Sequence, residues 1–179
     1  MTAITDHQRQ YQPSSQFDMV LGFIMKKEGG YVNNPNDPGG ETKFGISKRQ
    51  YPTLDIKNLT IQQAAAIYQL DYYDKIWGDN LPFAWALVLT DFAVNAGVAV
   101  AVRRLQQLVG VKVDGIFGQK TFDATNAVTD IEIWIIRYTA ARHAYYQSLV
   151  DNNPNMRFFL KGWLRRAVEA MECALSKQP

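Results

Sequence analysis

The sequence predicts a mainly α-helical fold, six or seven helices arranged around one buried helix, with a single polar loop or hairpin region. Three observations carry this. From Leu81 to Val94 almost every residue is apolar, the mark of a helix enclosed on all sides. Capping signals followed by apolar residues at helical spacing recur along the chain. One stretch, Tyr31 to Gly45, is so dense in Asn, Asp, Pro and Gly that it excludes a helix.

Ser15, with Asp18 three residues on, predicts a first helix through Phe17, Val20, Leu21, Ile24 and Met25, ending at Gly29-Gly30. The Tyr31–Gly45 stretch then forms a loop or a short bent hairpin. Thr60 and Gln63 make a capping box that opens a helix running on toward Trp77. After the buried helix, Asn95 and Gly97 break the chain. Val98, Val102, Leu105 and Leu108 then mark an amphipathic helix that stops at Gly110. A turn at Asp114-Gly115 precedes a short helix from about Gln119 to Val128. Thr129 with Glu132 caps a long helix to about Val150, and Asn152 to Pro154 ends it. The last helix, Phe158 to Leu175, sets Phe159, Trp163, Ala167, Ala170 and Ala174 on one face.

Composition narrows the function. The chain has 179 residues, 47% hydrophobic, enough to bury a core without metal or disulfide, and Cys173 has no cysteine to pair with. A formal net charge of +2 is too small for a nucleic-acid binder, and no apolar run approaches the roughly 20 residues of a membrane span. The first residues lack the basic-then-apolar order of a secretory signal. His7 and His143 stand too far apart in the chain to suggest a metal pair or a nucleophile's base. Trp77, Trp85, Trp134 and Trp163 all fall in helical patterns and read as core.

The chemistry concentrates in Lys26 to Ser47. Glu28 falls at the C-terminal end of the first helix, where the helix dipole disfavours negative charge and raises a carboxyl pKa, as a general acid needs. Asp37 follows after eight intervening residues, enough for a chain reversal that sets two carboxyls across a groove, the arrangement used in glycosidic cleavage. Taken singly, Glu28 also reads as a solvated helix end and Asp37 as a turn former ahead of Pro38-Gly39. Asp91 and Asn95, four apart on the buried helix, either line a cleft floor or pair internally. Asp91 reads as structural and Asn95 as a substrate contact.

Read together, the string resembles the signature of glycoside hydrolase family 108, the lysozyme-like N-acetylmuramidases of phage endolysins and related bacterial proteins. That pattern is E-G-G-Y-V-N-D-P-x-D-P-G-G-x-T-x-x-G-I. Glu28, Gly29, Gly30, Tyr31, Val32, Asn33, Pro35, Asp37, Pro38, Gly39, Gly40, Thr42, Gly45 and Ile46 match it, and Asn34 stands where Asp is expected. The stretch Leu105 to Phe122 is similar to the predicted peptidoglycan-binding segment that accompanies the family, with Leu105, Gln106, Gly110, Val111, Asp114, Gly115, Gly118 and Thr121 matching. Physically, Gly115 and Gly118 free the backbone in a turn whose amides Asp114 can bond, and a helix connection without a ligand fits equally well.

The resemblance implies a lysozyme-like α+β fold with the active site on the hairpin region. The polar start predicts a flexible tail over residues 1–14, and the resemblance implies a catalytic part over 15–101 and a peptidoglycan-binding-type helical part over 102–179, packed with the first as one globular unit. The activity implied is hydrolysis of the β-1,4 bond between N-acetylmuramic acid and N-acetylglucosamine in bacterial peptidoglycan. Glu28 is then the acid, and Asp37 activates a water or stabilises the developing cation. Thr42 positions that water, and Tyr31, Asn33 and Asn95 contact the sugar. No step requires a metal or organic cofactor. Two alternatives stay open: a lytic transglycosylase, and a non-catalytic peptidoglycan-binding or secretion-associated protein. The expected protein is a monomer that inserts in no membrane. It is made in the bacterial cytoplasm and acts in the periplasm or cell wall after release.

Overall fold

The computed structural model describes residues 11–26, 30–33 and 40–176. The chain divides into two compact units, Met1–Asp71 and Tyr72–Pro179. Among the described residues there are seven α-helices and one small three-stranded sheet, the mainly α architecture with a minor β element that the sequence predicts.

In the first unit, helix α1 (Ser15–Met25) buries Phe17, Val20 and Ile24, which recur on one side of a 3.6-residue helix. Its cap is Ser14, one residue earlier than expected, whose hydroxyl accepts from the Phe17 amide at 3.1 Å. Extended chain precedes it, where Gln12 and Gln69 exchange two hydrogen bonds, backbone N–H to Oε1 at 2.9 Å and Nε2 to backbone O at 2.8 Å. The sheet is antiparallel in the order β1 (Val32–Asn33), β2 (Glu41–Lys43), β3 (Ile46–Ser47), so the polar stretch resolves to a hairpin region. Leu54, Ile56 and Leu59 from the following loop are buried, and α2 (Ile61–Tyr68) opens with both bonds of the Thr60/Gln63 capping box.

The sequence runs that helix toward Trp77, but regular α geometry stops at Tyr68. A π turn over Gln69–Tyr73 and a 3-10 turn over Asp74–Ile76 follow. The wider turn brings Tyr72 and Tyr73, adjacent residues, both into the interior, whereas a regular helix would separate them by about 100°. Trp77 then adopts a left-handed conformation with φ +54°. Gly78 passes so close beneath the Tyr73 ring that a Cβ there would lie 2.3 Å from it, and Tyr73 Oη donates to Asp79 Oδ1 at 2.8 Å.

The second unit is organised on α3 (Phe83–Ala96), in which every residue from Ala84 to Ala93 is buried. Helices α4 (Val98–Val109), α6 (Ile131–Asn152) and α7 (Arg157–Ser176) all pack against it. Gly97, at φ +92°, joins α3 to α4 in a conformation closed to residues with a Cβ, and Gly110 at φ +76° ends α4. The short α5 (Gln119–Asn126) follows the Asp114-Gly115 turn. Asp130, not Thr129, caps α6, accepting from the Ile133 amide at 3.2 Å. An aspartate one residue closer to the first turn takes the role assigned to the threonine. Ala167, Ala170 and Ala174 form the buried face of α7, while Phe159, expected there, is 54% exposed. Trp85 alone of the four tryptophans is fully enclosed; Trp77, Trp134 and Trp163 are half-buried.

Candidate active site

The two carboxylates singled out in the sequence, Glu28 and Asp37, lie outside the described residues. Along the sequence, β1 follows Glu28, and Asp37 falls between β1 and β2. Strand β2 is central, and its register sets Thr42 opposite both Val32 and Ser47, and Glu41 opposite Asn33. Residues paired in register share a face and neighbours along a strand alternate, so Thr42 points to one face while Glu41 and Asn33 point to the other.

The turn that carries β2 into β3 is Phe44-Gly45, with φ +52° and +74°, the two positive angles of a type I′ hairpin. Phenylalanine is costly there, and two contacts hold it. Tyr68 Oη, from α2, donates to the Phe44 carbonyl at 2.7 Å. Lys43 Nζ sits 5.4 Å from the Phe44 ring centre and donates to the Lys57 carbonyl at 2.9 Å. The half-buried Thr42 is therefore fixed by a turn clamped from the helix behind it. Gly40, the last glycine before β2, stands at φ +67°, so glycine is a backbone requirement at that position.

Tyr31, at the edge of β1 and 39% exposed, donates through its hydroxyl to Glu41 Oε1 at 3.3 Å. Partial desolvation, followed by the charge of Glu41, raises its pKa above the ordinary tyrosine value, so Tyr31 is a neutral donor across the physiological range. Tyr31, Asn33 and Glu41 thus share one face of the small sheet, and Thr42 stands on the other. Glu41 as the partner of Tyr31 escaped the sequence reading, because only strand register brings these two together.

Asn95 belongs to the second unit, on the last turn of α3, where its Nδ2 donates to the Asp91 carbonyl at 2.8 Å. Asp91 is fully buried and accepts from Arg142 Nη1 at 2.7 Å and Arg166 Nε at 2.8 Å, an internal charge network. Among the described residues no three His, Cys, Asp or Glu side chains gather as a metal site.

The Asp114 turn is organised by Gln106, which is buried. Its Oε1 accepts from the Asp114 and Gly115 amides at 3.0 and 2.9 Å. Its Nε2 reaches Asp114 Oδ1, the Ile116 carbonyl and Thr121 Oγ1 at 2.9 to 3.1 Å. Asp114 Oδ1 also takes the Ile116 amide at 3.0 Å, so the aspartate does bond the amides of the turn. Gly115, at φ +80°, lies against Arg103 and the Ala99 carbonyl, where a Cβ would crowd both. Gly118, at φ −122° and ψ −176°, is ordinary extended backbone.

A mainly α architecture with a small three-stranded hairpin sheet is a lysozyme-like fold. The Glycosyl hydrolase 108 profile matches residues 21–97, and the Predicted Peptidoglycan domain matches residues 100–168. The structure is similar to that described as the structure of Brucella abortus SagA, with TM-score 0.77 and 33% sequence identity, covering 89% of this chain and 94% of that one. The chain belongs to the glycosyl hydrolase 108 family. No curated protein sequence matches it. Family and accompanying domain together support a peptidoglycan-degrading glycosidase.

Proposed function

We propose that the chain is an N-acetylmuramidase that hydrolyses the β-1,4 bond between N-acetylmuramic acid and N-acetylglucosamine. The observation that carries this is the signature itself. Glu28, Asp37 and Thr42 fit the motif that the sequence resembles, and the chain is one of the family. Glu28 protonates the glycosidic oxygen as the sugar ring gains oxocarbenium character. Asp37 takes the proton of an attacking water or balances the positive ring. Thr42, one hydroxyl on a strand fixed by the Phe44-Gly45 turn, orients that water. Tyr31 offers a neutral hydroxyl and a ring face to the sugar, with Asn33 on the same face of the sheet. We further propose a monomeric endolysin of phage or prophage origin, made in the bacterial cytoplasm. It acts on the wall polymer beyond the cytoplasmic membrane once released.

The test compares wild type with Glu28→Gln on purified sacculi, following turbidity and then the masses of released muropeptides. The expected result is clearing by wild type and a rate roughly 100- to 10,000-fold lower in a folded variant, with reducing N-acetylmuramic acid ends among the products. Anhydro ends overturn hydrolysis in favour of transglycosylation. Pelleting with the wall and no released sugar from either protein overturns the enzyme reading.

A further inference from the structure

A concavity of about 350 Å³ opens in the second unit over the Asp114 turn. Its floor is Gln106 and Thr121, both buried; Val111 and Ile116 form an aliphatic wall, and Lys112 and Lys120 stand exposed at the rim. We propose that this concavity binds the stem peptide of peptidoglycan, holding a carboxylate against the two lysines and an alanine methyl against the aliphatic wall. This rests on peptidoglycan being the polymer.

Chemistry selects the peptide over the glycan. Sugar rings are held by stacking on aromatic faces, and no aromatic side chain lines this concavity. Aliphatic walls with ammonium groups instead match a ligand that alternates methyl-bearing residues with free carboxylates, as stem peptides do. Gln106 spends both ends of its amide on Asp114, Gly115, Ile116 and Thr121, so the floor is a finished, rigid surface and the lysines supply the charged recognition. Asp114, the one carboxylate of the lining, is engaged by Gln106 and the Ile116 amide, with Lys112 Nζ 3.8 Å from its other oxygen. Val113 and Ile116, 44% and 71% exposed, extend the apolar surface beyond the rim. Trp77 packs on Phe117 and Phe122 at 5.8 and 5.6 Å between ring centres, fixing the backbone beneath the lining.

The experiment titrates full-length, isotope-labelled protein with the free tetrapeptide L-Ala-γ-D-Glu-meso-diaminopimelate-D-Ala, and separately with chitotetraose, following the amide signals of Gly115, Gly118 and Thr121. The tetrapeptide is expected to shift these signals. Lys112→Ala/Lys120→Ala should weaken its binding about fivefold or more, and replacing two exposed lysines leaves the core untouched. Chitotetraose should leave the three signals in place. Three results each overturn the proposal: a tetrapeptide that moves none of them, a double variant that binds like wild type, or chitotetraose moving them as strongly. Because no bond is cleaved in this assay, its outcome separates from the muramidase test. Peptide binding without glycan cleavage sinks only the activity, and cleavage without peptide binding sinks only this site.

Discussion

Arg142 reaches across the second unit to Asp91, Nη1 to Oδ2 at 2.7 Å, with both side chains buried. The other oxygen of Asp91 takes Arg166 Nε at 2.8 Å, so one carboxylate on α3 ties together α6 and α7. Burial is the largest single influence on the Arg142 charge and works against it, and the Asp91 carboxylate together with Tyr146 more than offsets it, leaving its pKa above the ordinary value. Arg142 Nε also donates to Tyr146 Oη at 2.9 Å, and its guanidinium lies 5.0 Å from the centre of the Phe92 ring.

Asp91→Asn should therefore destabilise the protein by about 3–5 kcal/mol, because a buried cation loses its counter-charge while the volume is unchanged. Urea unfolding should show the midpoint falling with little change in slope. Asp91→Asn combined with Arg142→Met should recover part of the loss, since no orphaned charge remains at Arg142. A double variant as unstable as the single one would assign the cost to packing.

The Phe44-Gly45 turn is the second place where one contact governs a larger feature. Tyr68→Phe removes only the hydroxyl that holds the Phe44 carbonyl, and should cost about 1 kcal/mol. Gly45→Ala at φ +74° should cost about 1–2 kcal/mol. Both variants keep Thr42 but loosen the strand that carries it, so the rate of wall clearing should fall by about tenfold with little change in affinity for sacculi. Thermal unfolding beside the clearing assay checks this. Clearing at the wild-type rate by the two destabilised variants would mean that the turn does not position the chemistry.

The helices were legible because their signals are local. The Thr60/Gln63 capping box, the largely apolar run of α3 and the glycines at 97 and 110 each specify their own neighbourhood. The departures arise where tertiary packing decides. Two adjacent tyrosines, 72 and 73, both seek the interior, and the helix widens to admit them. On the candidate site, the signature marked Tyr31, Asn33 and Thr42 without showing that alternation sends Thr42 to one face and Asn33 to the other. Gln106 matched a pattern, yet its partners lie up to 15 residues away along the chain, so its place at the centre of the turn has no local signal.

Asp114 carries a pH dependence whose direction follows from its bonds. The Ile116 amide first, then the Gln106 side chain, hold its carboxyl below the ordinary aspartate value in the folded protein. The unfolded chain returns it to about 3.9. A depressed folded pKa adds stability that is fully present above the unfolded value and is lost as pH falls through the folded one. Asp114→Asn retains a side-chain oxygen for the Ile116 amide but no charge. The gap in melting temperature between wild type and this variant should be constant from about pH 7 to pH 5, then close progressively below about pH 4. Lys112, 3.8 Å away and exposed, adds little, so the same profile should persist in Lys112→Ala. A gap that stays level down to about pH 2 would place the importance of Asp114 in the shape of the turn, because a charge-dependent contribution must vanish once the carboxyl is protonated in both states.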